Sequence, residues 1–247
     1  MDRDPGPMGW RPPPREVPAS AIALSRLKGA GVPVIERRCG PGEQVYLRGD
    51  ADRGMCFLLE GTLRVYKAHG GCSAEATVGL LAGGGLFGEP SLRAGGHHRD
   101  SAEALSACRV ARVPKGPLWA HLKRDPGCSF ALLLALAGWA EEREAAAARL
   151  GPWTAGGRLA RLLLELAERF GRETGRGTEV GVRLSHHELA RMVACTREAV
   201  TKEMARFRRA GLVEARGRLG RVVVLDEPRL VELARAGSAR GSVYSKA

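Results

Sequence analysis

The first half of the chain alternates short apolar runs with turn residues. Dipeptides such as Pro41-Gly42 and Gly49-Asp50 recur at short, even intervals between residues 34 and 113. Short strands with this spacing predict an antiparallel barrel or roll. The predicted strands cover residues 34–38, 44–47, 55–60, 62–67, 76–81, 101–104 and 109–113.

Helical spacing replaces this pattern after Pro114. A short helix is predicted over residues 117–124 and a long one over 129–150, which Gly151-Pro152 ends with a hinge. The long helix has an apolar stripe whose residues recur at spacings of about three and four, except that Arg143 stands at one position where an apolar residue is expected. This stripe predicts that the helix packs on a second copy as a coiled coil. The alternative is packing on its own barrel. The stripe consists of Leu132, Leu136, Trp139, Ala146 and Leu150.

The C-terminal third predicts three more helices and a small wing. Residues 158–170 form an amphipathic helix, and the glycine-rich residues 171–181 are predicted to be a loop. Ser185 and Glu188 form a capping box at the start of a helix over 185–192. Val193-Ala194-Cys195 follows as a tight turn, and Thr196 caps a second helix that runs to about residue 210. Two strands around the basic, glycine-rich residues 216–221 then predict a wing.

The second of these capped helices carries side chains suited to reading DNA bases. Its apolar residues Val200, Met204 and Phe207 are expected inside, which leaves a polar face outside. Arginine donates two hydrogen bonds to guanine, glutamate accepts from the cytosine amino group, and lysine reaches guanine. The predicted base-reading residues are Arg197, Glu198 and Lys202. Hydroxyl and imidazole groups predicted to hold phosphates are those of Ser185, His186, His187, Thr196 and Thr201.

The charge is unevenly distributed along the chain. The net charge is +12, and residues 152–247 hold 19 Lys and Arg against 11 Asp and Glu. A basic surface of this kind attracts phosphate backbones and favours double-stranded DNA as the partner. The six cysteines have no metal-binding spacing and are predicted to be free thiols. We expect a cytoplasmic protein, because no apolar run is long enough for a membrane span or a signal segment.

Residues 184–212 closely resemble the helix-turn-helix of the CRP/FNR family of bacterial regulators. The resemblance is carried by Cys-Thr-Arg-Glu-Ala-Val-Thr-Lys at residues 195–202, and it extends over about residues 34–232. It implies an α+β protein with an N-terminal antiparallel β-roll similar to the cyclic-nucleotide-binding jelly roll, a long dimerisation helix and a C-terminal winged helix-turn-helix. It also implies a homodimer that binds a palindrome with TGTGA-like half-sites and works with RNA polymerase.

The chain is therefore divided into five predicted segments. The two ends are predicted to be disordered because they are rich in proline, glycine and charge. The segments are a tail over residues 1–20, the β-roll sensory domain over 21–127, the dimerisation helix over 128–151, the winged helix-turn-helix over 152–235 and a second tail over 236–247.

The same resemblance identifies a candidate effector region in the roll. Residues 86–92 resemble the start of the family's phosphate-binding cassette, in which a Glu holds the ribose and an Arg-Ser pair holds the cyclic phosphate. Gly88, Glu89 and Arg99 match this pattern, but Asp100 stands where Ser is expected, and an acid there repels a phosphate. A Thr-Ser pair for adenine is also missing near Arg143-Glu144. The four candidate effector residues are Gly88, Glu89, Arg99 and Asp100, and cyclic AMP is in doubt as their ligand.

Other kinds of function remain open at this point. Haem ligation would use His69, Cys72, His97 or His98, whereas an iron–sulfur cluster lacks its N-terminal cysteines, since residues 1–38 contain none. No metal site and no certain cofactor are predicted. An effector-free regulator, with the roll as a scaffold, is the main alternative. An enzyme is not expected, because no catalytic triad, phosphate-binding loop or metal-spaced cluster occurs.

Overall fold

The structure is a computed structural model that describes residues 18–68, 75–88, 96–149, 153–216 and 221–236. The helices in these ranges are α1 Ala19–Gly29, α2 Lys115–Leu122, α3 Pro126–Arg149, α4 Ala155–Phe170, α5 His186–Met192, α6 Arg197–Arg209 and α7 Glu227–Ala236. The strands are β1 Ile35–Cys39, β2 Gln44–Tyr46, β3 Gly54–Glu60, β4 Thr62–Ala68, β5 Glu75–Ala82, β6 Leu86–Phe87, β7 Ser101–Ala104, β8 Cys108–Pro114, β9 Gly171–Thr174, β10 Gly177–Val180, β11 Val213–Arg216 and β12 Arg221–Val224.

Strands β1 to β8 form the predicted antiparallel roll. One sheet has the order β1-β8-β3-β6 and the other β2-β7-β4-β5, and every pair is antiparallel. Alternate side chains of the two sheets face each other and bury an apolar interior. We call this interior the inner core; it consists of Cys39, Tyr46, Cys56, Leu58, Leu63, Val65, Leu81, Phe87, Ala102, Ala104, Cys108, Val110 and Trp139.

Helices α1 and α3 cover the outer face of the β1-β8-β3 sheet. Phe57 and Val113 point outward from the sheet and pack with Leu24 and Leu27 of α1. The sequence did not predict α1, which begins at Ala19 after an N-cap proline with no side-chain capping bond. The usual start signal of a helix is therefore missing, and burial of its leucines against the sheet stabilises it instead.

The predicted coiled-coil stripe of the long helix faces the protein itself. Leu132 is buried in the cluster beneath α1, Trp139 in the inner core, and Ala146 is buried as well, whereas Leu136 is partly buried. The prediction of contact with a second copy is therefore wrong for Leu132, Trp139 and Ala146, which pack within the chain as the alternative stated. Helical spacing alone reveals an apolar stripe but not which of two neighbours covers it. Leu150 and the Gly151-Pro152 hinge lie outside the described residues.

A third sheet, β11-β12-β10-β9, supports the C-terminal helices. Residues 171–181 were predicted to be a loop, but they form the β9–β10 hairpin, in which Thr178 pairs with Glu173. The glycines of this segment misled the prediction. At Gly177 an added Cβ would lie 2.1 Å from the Val224 carbonyl oxygen, so this glycine allows β10 to approach β12.

The C-terminal domain packs directly on the roll. Arg169 of α4 donates to the Leu80 carbonyl oxygen of β5 at 2.9 Å and pairs with Glu142 of α3 at 2.7 Å. Arg191 of α5 forms a further ion pair with Glu75 of β5 at 3.3 Å. These contacts connect the roll and the long helix to the helices that follow. None of the described helices is both long enough and apolar enough to cross a membrane.

Candidate DNA interface and effector region

The first helix of the predicted helix-turn-helix begins with the expected capping box. The Ser185 hydroxyl accepts from the Glu188 amide at 3.2 Å, and the Glu188 carboxylate accepts from the Ser185 amide. Leu189 and Met192 then face the domain core. The capping box satisfies two amide groups that would lack partners at the start of a helix, which explains why so short a helix is well defined.

A sharp turn leads into the second helix. Ala194 has a φ of +48°, in the left-handed region that only a minority of residues other than glycine adopt. Cys195 donates its amide to the Ala190 carbonyl at 3.0 Å, and Thr196 caps α6 by accepting from the Ala199 amide at 3.2 Å. The turn thereby fixes the direction in which α6 leaves α5.

Helix α6 exposes the predicted base-reading residues together. Val200, Met204 and Phe207 are buried, as the sequence predicted. The opposite face carries the exposed residues Arg197, Glu198, Thr201 and Lys202, all in the first two turns. Of the five predicted phosphate-contact residues, Ser185, His187, Thr196 and Thr201 are exposed and His186 is partly buried.

Two of the predicted phosphate contacts bind each other. Thr201 Oγ1 donates to the Arg197 carbonyl at 2.8 Å and lies 2.9 Å from His186 Nδ1. Because the Thr201 hydroxyl donates its proton to the Arg197 carbonyl, His186 Nδ1 is assigned as the donor to Thr201 Oγ1. Burial lowers the pKa of His186, and the nearby charges of Arg208 and Arg197 lower it further. Arg208 was not among the predicted site residues, because only the fold brings it near His186.

The wing is present as a β-hairpin. Strands β11 and β12 pair in register, with Val213 opposite Val224 and Arg216 opposite Arg221. The basic turn between them, residues 217–220, lies outside the described residues. Arg221 is held by Glu179 of β10 at 2.7 Å, so the hairpin is fixed to the rest of the third sheet.

A second surface, on α3, has an exposed apolar character. The side chains of Phe130, Leu133 and Leu134 are 62%, 60% and 49% exposed. Ala137 and Ala140 continue the same face toward the C-terminus of the helix and are also exposed. Exposed apolar patches of this kind are typical of protein contacts. The face differs from the predicted stripe, and its residues recur at the heptad spacing of a coiled coil.

In the roll, Asp100 forms an ion pair with the long helix. Its side chain is 1% exposed, and it accepts from Arg143 Nη1 at 3.1 Å and from the Tyr46 hydroxyl at 3.2 Å. The predicted effector residue Asp100 thus already has a cationic partner from α3. The neighbouring Arg99 is exposed, so the two adjacent side chains point in opposite directions.

Trp139 fills the part of the roll next to this ion pair. Its indole ring is buried in the inner core, and an added Cβ at Gly79 of β5 would lie 2.2 Å from the ring. The ring therefore lies directly on the backbone of β5. Trp139 was predicted to make a dimer contact, since only the fold shows that this part of the helix faces β5 and the roll interior.

The remaining candidate effector and haem residues are spread over several places. Gly88 is buried and has a φ of +75°. A Cβ added to this glycine would lie 3.7 Å from His98 Cε1. His98 is buried and stacks on Tyr46 with ring centroids 3.7 Å apart, whereas His97 is exposed. Glu89, His69 and Cys72 lie outside the described residues.

One group of side chains has the composition of a metal site. Ligand atoms of His121, Asp125 and Cys128 lie within 4.8 Å of one another. However, Arg26 donates to both oxygens of Asp125, at 2.8 and 2.9 Å, and this contact holds the pKa of the carboxyl well below its usual range. A guanidinium thus occupies the position in which a cation would bind the carboxylate. The described cysteines Cys39, Cys56, Cys108, Cys128 and Cys195 are free thiols.

Comparison with known proteins agrees with this architecture. Residues 36–125 match the model of the cyclic nucleotide-binding domain, and residues 157–233 match that of the Crp-like helix-turn-helix domain. A cyclic AMP receptor protein of Thermus thermophilus is 30% identical over 179 residues, 72% of this chain and 79% of the relative. A CRP-like cAMP-activated global transcriptional regulator of Mycobacterium tuberculosis is 28% identical over 195 residues, 78% of this chain and 85% of the relative.

A solved structure shows the same fold. The crystal structure of a CRP-family transcriptional regulator from Thermus thermophilus superposes with a TM-score of 0.68 at 30% identity, covering 81% of this chain and 96% of that one. Together with the helix-turn-helix geometry, these matches define a DNA-binding transcription regulator with a cyclic nucleotide-binding domain. The chain belongs to the CRP/FNR family.

Proposed function

We propose that this regulator acts as a homodimer that reads a palindromic operator with TGTGA-like half-sites. The observation that carries the proposal is the joint exposure of Arg197, Glu198 and Lys202 at the start of α6. In this motif the first turns of the second helix enter the major groove, where these side chains match guanine and cytosine edges. Exposed Ser185 and His187 at the start of α5, and Thr196 at the start of α6, support the backbone contacts.

The exposed face of α3 supports the homodimer. Two copies of Phe130, Leu133 and Ala137 facing each other would bury the apolar surface that one chain leaves in water. A twofold dimer mirrors a palindrome, with half-sites about one helical turn, roughly 34 Å, apart. We infer that RNA polymerase is a further partner, that the protein works in the cytoplasm, and that it catalyses no reaction.

We further infer that operator binding does not require cyclic AMP. The supporting observations are the buried Asp100–Arg143 ion pair and the Trp139 ring, which occupy the part of the roll where the family resemblance places a cyclic nucleotide. A nucleotide phosphate would meet the Asp100 carboxylate, and a purine would have to displace the indole. The effector-free alternative follows if no other ligand changes DNA affinity.

The experiment compares wild-type protein with Arg197→Ala on a labelled TGTGA palindrome and on a scrambled duplex, at one salt concentration. Loss of the two guanine bonds is expected to weaken operator binding by about 1–3 kcal/mol and to change scrambled binding much less. Arg209→Ala is the matched control, because Arg209 is exposed at the far end of the same helix. Equal losses on both duplexes for Arg197→Ala would refute base reading by this residue.

A further inference from the structure

A cavity of about 540 Å³ opens into the end of the roll interior. Of the residues that the structure describes, none from α3 lines it, nor do Gly88, Arg99 or Asp100, so it is separate from the region that Trp139 fills. Apolar side chains form one part of its wall and charged side chains the other. The lining consists of Ile35, Arg37, Val45, Tyr46, Asp50, Ala51, Arg53, Cys56, His98, Val110 and Arg112.

Two of the lining arginines are on sheet positions that face the inside of the roll. Arg112 is on the central strand β8, with Ile35 of β1 opposite it on one side and Cys56 of β3 on the other. Val110, two positions before Arg112 on the same strand, belongs to the inner core, and Arg37 pairs with it. Side chains alternate along a strand, so Arg112 and Arg37 leave their strands on the same face as Val110. Arg112 is partly buried, and arginine is an unusual choice for such a position unless its charge is needed, whereas the Arg37 side chain is 49% exposed.

The positive charge of the cavity is only partly neutralised. Arg37 pairs with Glu43. Arg53 and Arg112, by contrast, make no hydrogen bond or ion pair with any residue in the described ranges. Asp50 is the only acidic residue among the described lining residues, against three arginines. The charge of Arg112 reaches the interior, because it counteracts the rise that burial causes in the pKa of Cys56.

The rim of the cavity is fixed by backbone hydrogen bonds. The His98 amide donates to the Asp50 carbonyl at 3.0 Å, and the Gly49 amide donates to the His98 carbonyl at 2.9 Å. The Asp52 amide donates to the Gly96 carbonyl at 3.0 Å. These bonds hold the Asp50–Arg53 loop against the His98 segment, so the cavity exists before any ligand binds, as is usual for small-molecule sites.

We propose that this cavity binds a small organic dianion, a phosphate ester or a dicarboxylate, and that this ligand modulates DNA binding. Guanidinium groups bind both kinds of oxyanion through paired hydrogen bonds, and Ile35, Val45 and the stacked Tyr46–His98 rings accommodate an apolar body. The regulatory half of this proposal rests on the proposed function; the binding half does not.

The wall of the cavity offers a physical route to the long helix. Tyr46 contributes its ring to the cavity and its hydroxyl to Asp100, which in turn binds Arg143 of α3. A ligand that moves the Tyr46–His98 stack would therefore change the position of Asp100 and the strength of its pair with Arg143. Coupling of this kind needs no ligand contact with α3 itself.

The binding test is isothermal titration calorimetry of the full chain without DNA, with pyrophosphate and succinate as probes at constant ionic strength. We expect saturable binding of at least one probe to the wild type, and the two probes distinguish a phosphate site from a carboxylate site. Arg112→Gln and Arg53→Gln should each weaken that binding at least about tenfold. Arg38→Gln is the matched control, because Arg38 is exposed on the opposite face of β1. Absence of binding by both probes, or equal weakening by Arg38→Gln and Arg112→Gln, would overturn the site.

The regulatory test measures operator affinity with and without the probe that binds. We expect a change of at least about fivefold in wild type, within the usual range of allosteric coupling, and none in Arg112→Gln. Binding of the probe with unchanged operator affinity would overturn the regulatory half alone. Failure of the proposed DNA function is distinguishable, because it would appear as no operator preference in either state while calorimetric binding persisted.

Discussion

Asp100 of the roll and Arg143 of the long helix form an ion pair at 3.1 Å, with the carboxylate buried and the guanidinium partly exposed. The pair places a protein anion where the family resemblance expects the hydroxyl that helps to hold a cyclic phosphate. It also ties the roll to α3 without a ligand. The same contact therefore both opposes a cyclic phosphate at this position and holds the long helix on the roll.

Removal of Arg143 should destabilise the protein more than removal of Asp100. Arg143→Gln leaves a buried carboxylate without its cation and is expected to lower the free energy of unfolding by about 3–5 kcal/mol. Asp100→Asn leaves a cation that can reach solvent and should cost only about 1–2 kcal/mol. Urea denaturation of both single variants and the double variant measures the coupling. Strict additivity of the two losses would show that the pair contributes nothing to stability.

The exposed face of α3 makes a prediction about oligomeric state. Leu133→Glu should raise the dimer dissociation constant by at least about a hundredfold, because twofold symmetry buries the new charge twice. Leu47→Glu is the matched control, since Leu47 is an exposed leucine of the roll. Sedimentation equilibrium over a concentration series measures both variants. A dimer that tolerates Leu133→Glu as well as Leu47→Glu would place the interface elsewhere.

His186 should titrate below its usual pKa of about 6.5. Burial disfavours its charged form, and the guanidinium groups of Arg208 and Arg197 add repulsion. With a lowered folded-state pKa, the unfolded chain binds the proton first, so this residue stabilises the fold above about pH 6.5 and loses that contribution as the pH falls.

An NMR titration of the His186 ring measures this pKa directly. Arg208→Gln should move the midpoint upward, whereas Arg209→Gln, on the same helix turn, should change it less. A wild-type midpoint at or above the usual histidine value would contradict the lowering of the His186 pKa by burial and by the two arginines.

Much of this structure could be predicted because local chemistry determines it. The capping box at Ser185, the cap at Thr196 and the buried Val200, Met204 and Phe207 follow from short-range patterns, and all are confirmed. Long-range placement could not be predicted in the same way. In the sequence, Trp139 belongs to an apolar helical stripe, and only the fold shows that β5 and the roll interior are its neighbours.

The same reason explains the other differences. In the sequence, Gly177 is typical of a loop, and only the fold shows that β12 lies next to it. Helix α1 has no side-chain capping residue from which its start could be predicted. The Asp100 substitution was visible in the sequence, but its partner Arg143, 43 residues further along the chain, was not assigned to it.

The most direct test of the account is the affinity of the wild-type protein for a labelled TGTGA palindrome, relative to a scrambled duplex, with and without cyclic AMP. Fluorescence anisotropy at a fixed salt concentration gives both ratios. We predict a strong preference for the palindrome that is the same in the presence and absence of cyclic AMP. A preference that develops only with cyclic AMP would contradict a roll already filled by Trp139 and the Asp100–Arg143 pair, and no preference in either state would contradict the assigned reading of DNA by α6.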